Sequence, residues 1–185
     1  IITIAEASRL LKSGKLSPVE LTEAKLQRIE ALDGTLNSFI KLTADAARAE
    51  AKQAEADIAK GDWRGPLHGV PIGLKDIYNT AGVETTAQSA VLADHVPAED
   101  ATTVRLLRDA GAVVLGKTTT YEFALGGSSF DLPQPPARNP WNTAPHPAGS
   151  SSGSAGAPAA GLRRGARGAA ESGTQGWRGG GRGWR

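Results

Sequence analysis

The residues best suited to chemistry are the hydroxyls Ser150, Ser151, Ser152 and Ser154, set around Gly149 and Gly153, and one lysine far upstream. That lysine, Lys75, closes the run Gly65-Pro66-Leu67-His68-Gly69-Val70-Pro71-Ile72-Gly73-Leu74 and precedes Asp76. A serine hydroxyl attacks poorly until a base takes its proton, and a neutral lysine amine can be that base. Burial at the end of a strand disfavours the ammonium form and so supplies neutrality. Serines and lysine together are the parts of a Ser–Lys catalytic device. Each also has a plainer reading. Gly/Ser runs form flexible linkers, and a lysine at a strand end can lay its stem on apolar surface with its amine in water.

Two other patterns compete. Gly111-Ala112-Val113-Val114-Leu115-Gly116-Lys117-Thr118 has the spacing of a phosphate-binding loop. Such a loop must follow a strand and wrap phosphates with its own amides. Here the four intervening residues are apolar and read as the strand itself, bracketed by the glycines, so nucleotide binding is set aside. Gly149-Ser150-Ser151-Ser152-Gly153 has the spacing of a nucleophile elbow, which needs an apolar strand immediately before it. Pro140-Trp141-Asn142-Thr143-Ala144-Pro145-His146-Pro147 cannot be a central strand, and no histidine lies downstream. A Ser-His-Asp triad is therefore rejected.

The elements that must position these residues can be read in order. Thr3 with Glu6 makes a capping box for a helix carrying Ile4, Ala7, Leu10 and Leu11. Ser17, Pro18 and Glu20 start a second helix, whose apolar face runs through Leu21, Leu26, Ile29 and Leu32 to a stop at Gly34. Residues 37–42 alternate as a short strand. The Ala-rich segment 44–60 is a helix closed by Gly61. Strand 70–74, helix 100–110 and strand 112–115 follow, an order that predicts parallel pairing across a crossover helix. Residues 119–125 predict a helical turn. Residues 131–149 lack any period and can be ordered only by lying on something else. The Gly/Ser stretch itself reads as neither helix nor strand. The fold class is thus α/β, with N-terminal helices followed by part of a mixed sheet covered by helices.

Composition narrows the function. With no cysteine, thiolate catalysis, disulfides and Cys-based zinc sites are excluded. The three histidines, His68, His95 and His146, are scattered, which argues against a metal site. No apolar run is long enough for a membrane helix and no signal-peptide pattern opens the chain, so we expect a cytoplasmic protein without membrane contact. The absence of methionine leads us to expect a processed or incomplete chain. The net charge of +2 is uneven: residues 162–185 hold six Arg and one Glu, leaving the body acidic. We divide the chain into 1–161, which holds the core, and 162–185, an Arg/Gly/Trp tail expected to be disordered.

Several blocks together resemble the amidase signature family. They are Gly65 to Asp76, Asp100-Ala101-Thr102, Gly111 to Thr118, Glu122-Phe123-Ala124, Arg138-Asn139-Pro140-Trp141 and residues 148–154, in that family's order and spacing. The wording around Phe130-Asp131-Leu132-Pro133 is similar to the general amidase branch, which includes the A subunit of glutamyl-tRNA amidotransferase.

The resemblance implies a Ser-Ser-Lys mechanism: Lys75 as base, Ser150 as proton relay, and a second serine 24 residues further on as nucleophile. It makes Gly126, Gly127 and Ser128 a wall of the substrate pocket. It implies hydrolysis of a carboxylic amide to carboxylate and ammonia with neither metal nor organic cofactor. It also implies a small-molecule amide as substrate, and a homodimer or amidotransferase subunits as partners. The chain departs from the pattern at the nucleophile: that position is Thr174, with Ser172 nearby, where serine is expected. The abrupt change of composition there leads us to expect a shifted frame, a sequencing error or a decayed gene, and a chain inactive as it stands. An uninterrupted frame through Arg185 in resequenced coding DNA would count against this. Two alternatives stand beside the amidohydrolase reading: the amidotransferase's A-type glutaminase component, which uses glutamine as ammonia donor, and a non-enzymatic protein whose Arg/Trp tail binds RNA.

Overall fold

The computed structural model describes residues 3–144, 149–159, 161 and 165–167. Two N-terminal helices start where capping chemistry places them. In α1 (Ile4–Lys12) the Thr3 hydroxyl accepts from the Glu6 N–H at 3.1 Å. In α2 (Pro18–Leu36) Ser17 Oγ accepts from the N–H groups of Val19 and Glu20, and Pro18 occupies the first turn, where its missing N–H costs nothing. The helix does not stop at Gly34, as the sequence predicts. It continues to Leu36, and Asn37 ends it in the left-handed conformation at φ 50°. Asn tolerates that region better than most residues, and Gly34 has helical neighbours that keep it in register.

Asp33 then turns the chain into β1 (Phe39–Leu42), its carboxylate accepting from the N–H groups of Ser38 and Phe39. Helix α3 (Ala44–Ala59) buries Ala47, Ala51, Ala54 and Asp57 as one stripe. Strand β2 (Pro71–Lys75) is buried at every position, as is β3 (Val113–Thr118), and α4 (Thr102–Asp109) crosses between them. Short 3-10 turns at Ala90–Leu92 and Glu122–Ala124, helix α5 (Ser152–Ala159) and strand β4 (Gly165–Arg167) complete the elements among the described residues. The sheet order is β1-β3-β2-β4, with β1 antiparallel to β3, and both β3 and β4 parallel to β2. This is the mixed α/β sheet expected from the sequence.

The sheet has a core on each face. On one, Leu26, Ile29 and Leu36 of α2, Ala47 and Ala51 of α3 and Ala157 of α5 close over Val113 and Leu115. On the other, Ala7 and Leu11 of α1 and Val104 of α4 cover Val70, Ile72, Leu74 and Val114. Central β2 and β3 are apolar because both faces are covered.

Three further expectations are corrected. Strand β3 does not end before Gly116 but runs through it to Thr118. Gly116 sits at a bulge with φ 149°, and a Cβ there would lie 2.1 Å from the Lys41 carbonyl oxygen. The Gly/Ser stretch is not irregular throughout, because α5 begins at Ser152. Gly165–Arg167, placed by the sequence in the tail, forms β4: backbone pairing to β2 needs no side-chain pattern, so composition did not reveal it. The remaining residues of the 162–185 tail, and with them the expectation of disorder there, lie outside the described residues.

Candidate active site

Lys75 ends β2, and Thr118 is its register partner on β3. The bulge at Gly116 breaks the alternation of β3, which would otherwise put Lys117 beside Leu115 under α5; past the bulge Thr118 shares the α5 face with Lys75, and Lys117 shares the other with Leu74. Thr118 Oγ1 accordingly meets Ser154 Oγ of α5 at 3.1 Å. Lys75 is 0% exposed, and its Nζ donates to Ser150 Oγ at 2.7 Å. The surface-lysine reading of Lys75 is thereby removed, as is the linker reading of residues 149–154.

Ser150 is held through its backbone. Its carbonyl accepts from the Thr120 hydroxyl at 3.0 Å and the Tyr121 N–H at 2.9 Å. The Gly149–Ser150 peptide is cis. The tyrosine ring lies against Gly149, where a Cβ would meet ring carbons at 2.2–2.6 Å. Gly153 is equally confined: its N–H donates to Thr119 O, and a Cβ would stand 2.2 Å from Ser38 O. The glycines around the serines are close-approach positions, which is why the stretch is rich in them. Lys25, from α2, donates to Gly161 O at 2.8 Å just past α5.

On the far face a second lysine is sealed in. Lys117 Nζ donates to Tyr78 O and Thr85 Oγ1, each at 2.7 Å, and stands 3.2 Å from Asp76 Oδ1. Burial pushes its amine below the ordinary lysine value, against the pull of the Asp76 charge. Asp76 Oδ2 accepts from the N–H and hydroxyl of Thr86, at 3.0 and 2.7 Å. The lysine that suggested a phosphate loop is therefore committed to a carboxylate inside the protein. Sequence reasoning left Asp76, Gln88, Thr120 and Tyr121 without roles. The adjacency of Asp76 to Lys75 was the one available signal.

The other predicted site residues are less tightly placed. Gly126 and Gly127 lie on an exposed loop after the turn at residues 122–124, with open space beside each α-carbon, and Ser128 is half-buried beyond them. Thr174 and Ser172 lie outside the described residues. His68 takes no part in the Lys75–Ser150 contact. It is buried beside Trp63 and Gly111, with Nδ1 accepting from the Arg64 N–H at 3.1 Å. Among the described residues no group of three or more His, Asp or Glu side chains could hold a metal ion. No described helix is long and apolar enough to cross a membrane.

A hydroxyl held against a buried amine, next to a helix start, is suited to passing protons at an acyl centre. The family model described as Amidase matches residues 20–173. The A subunit of the glutamyl-tRNA(Gln) amidotransferase of Thioalkalivibrio sulfidiphilus is 51% identical over 160 residues, which are 86% of this chain and 33% of that protein. Its counterpart in Methylococcus capsulatus is 49% identical over 166 residues, 90% of this chain and 34% of that one. This chain thus spans about a third of the length of the relatives it matches. Among solved structures, the peptide amidase of Stenotrophomonas maltophilia is similar with a TM-score of 0.78 and 43% identity, over 87% of this chain and 34% of that one. A fatty acid amide hydrolase gives a TM-score of 0.83 at 25% identity, over 88% and 29%.

Proposed function

The chain belongs to the amidase signature family, and from that premise we propose that it is the Lys75–Ser150 part of an amidohydrolase that cleaves a carboxylic amide to carboxylate and ammonia or an amine. The observation that carries this reading is the 2.7 Å contact between Lys75 Nζ and Ser150 Oγ, with the amine at zero exposure. That separation serves a proton moving either way. In the attacking direction, neutral Lys75 accepts the Ser150 hydroxyl proton while Ser150 Oγ takes one from the nucleophile, whose oxygen then bonds the amide carbon. In the collapse of the tetrahedral species the proton held by Ser150 passes to the nitrogen, and the C–N bond breaks to leave an ester on the nucleophile's oxygen; a water that gives its proton to the same relay then attacks the ester carbon, the carboxylate departs, and the nucleophile regains its hydroxyl proton. Thr174 occupies the nucleophile position in this scheme, with Ser172 as the nearby alternative. Gly126, Gly127 and Ser128 form one wall of the substrate pocket.

Ammonia release from a panel of simple amides by the whole chain tests the reading. Hydrolysis that vanishes in both Lys75→Ala and Ser150→Ala supports it. Hydrolysis that survives both substitutions, or its absence from the unaltered chain, counts against it.

A second reading, the glutaminase component of a glutamyl-tRNA(Gln) amidotransferase working in the cytoplasm within an assembly, is favoured by the 51% identity to such a component. Glutaminase activity that appears only when the other components of such an amidotransferase are added would select it over a free-standing amidase.

A further inference from the structure

We propose that Gln88 is a positioning residue for Ser150, acting through Thr120. Gln88 is 2% exposed and reaches in from the loop that follows β2. Its Oε1 accepts from the Thr120 N–H at 2.9 Å, and its Nε2 donates to Gln134 O at 3.3 Å. Thr120 carries the restraint onward: its hydroxyl donates to the Ser150 carbonyl, which also accepts from the Tyr121 N–H. Ordering a buried glutamine costs side-chain freedom. The hydrogen bonds at both ends of the amide offset that cost and also fix its direction.

The loop is itself pinned. Ala87 and Gln88 both have positive φ, 50° and 56°. The Gln88 N–H donates to Thr86 Oγ1, and Thr86 donates to Asp76 Oδ2. The Phe123 N–H donates to Ala87 O, a second strut between the same two loops. Asp76 therefore references both halves of the site. It fixes Lys75 through one peptide bond, and it fixes Ser150 through Thr86, Gln88 and Thr120. Proton transfer between Lys75 and Ser150 requires their separation to be held, since a displacement of about 1 Å can cost on the order of 10²-fold in rate.

The test uses the full chain and reads backbone amide exchange residue by residue, with the thermal midpoint measured alongside. The informative amide is that of Tyr121, which donates to Ser150 and makes no hydrogen bond to Gln88. In Gln88→Met we expect the Thr120 and Tyr121 amides both to exchange at least about tenfold faster, with Ala51 in α3 unchanged. In Thr120→Val we expect the Tyr121 amide to accelerate while the amide at position 120, still donating to Gln88, keeps its protection. Gln88→Glu retains an acceptor for the Thr120 N–H but loses the donor to Gln134 O, so it restores both amides in part. Should Gln88→Met fail to fold, Thr120→Val carries the test. An unchanged Tyr121 amide in the folded variants overturns the proposal. The kinetic arm rests on the amide-hydrolysis reading: kcat falls about tenfold in Gln88→Met with KM unchanged, and Gln88→Glu recovers part of the loss. No hydrolysis by the unaltered chain would sink that reading alone, and amide exchange would still decide the role of Gln88.

Discussion

Lys117 Nζ stands 3.2 Å from Asp76 Oδ1, with both side chains sealed from solvent, directly across β2 and β3 from the face that carries Lys75. Removing one charge of such a pair leaves the other buried and unmatched, which costs about 3–5 kcal/mol. We therefore expect Lys117→Met to lower unfolding free energy by that amount in denaturant titration. The double variant Asp76→Asn, Lys117→Met should recover part of the loss. Equal stability for the single variant and the unaltered chain would mean that the carboxylate finds another cation.

The Lys75–Ser150 contact makes a kinetic prediction. If Lys75 moves the proton, Lys75→Ala and Ser150→Ala each lower kcat/KM of amide hydrolysis by about 10²–10⁴-fold, the range for positioned proton transfer. The double variant should be little worse than either single one, because residues acting as a unit do not lose rate additively. Additive losses, measured with one substrate at one pH, would separate the two roles.

Gly116 makes a stability prediction. Its φ of 149° and the Lys41 carbonyl in its path leave no room for a methyl group. Gly116→Ala should cost more than about 2 kcal/mol, since the obstruction is backbone and cannot swing aside. Gly34→Ala, where a Cβ meets nothing within 4 Å, should be neutral or slightly stabilising. Similar denaturation midpoints for the two variants would refute the close approach of β1 and β3.

His68 supplies the pH dependence. Burial pushes its imidazole below the ordinary 6.5, Arg64 adds in the same direction, and Asp57 opposes both. The cleft around it also holds Glu50 and Arg108. The unfolded chain takes the proton at about 6.5, and the folded chain takes it only at lower pH. The resulting stability is complete above 6.5 and is lost as pH falls through the folded value. Glu50, whose carboxyl is raised by burial, works in the opposite sense, so a difference measurement is needed. The stability of the unaltered chain relative to His68→Gln should shrink between about pH 7.5 and 5.5. A constant difference would show that His68 is not held neutral.

Much of the frame was legible because local chemistry agreed with tertiary structure. Thr3, Ser17 and Pro18 start their helices as capping rules require, and the crossover through α4 followed from two apolar runs around an amphipathic one. What was missed depended on partners distant in sequence. The continuation of β3 through Gly116 is set by β1 lying across it. The start of α5 at Ser152 is hidden in a composition that also suits a linker, and only Tyr121 and Ser38 explain why Gly149 and Gly153 must be small. At the site, Lys75 and Ser150 were legible as types. Gln88 and Thr120 were not, because an uncharged amide and a hydroxyl give no signal until a carbonyl is seen beside them. Asn37 shows the same limit: the left-handed stop three residues past Gly34 is decided by Asp33 capturing the next two amides.

The placement of β2 between β3 and β4 has a consequence for how the molecule comes into being. Its neighbours on both sides are parallel and lie later in the chain, and the Lys75–Ser150 contact closes over 75 residues. Parallel pairings across long separations form slowly, since loop closure must precede the contacts that reward it. A chain leaving the ribosome exposes β2 as an unpaired apolar strand until Val113–Thr118 has followed. The Lys75–Ser150 contact thus closes only after residue 150 has been made, and a chaperone or a slowed translation step between residues 75 and 113 would act on the interval when this strand is most open to aggregation.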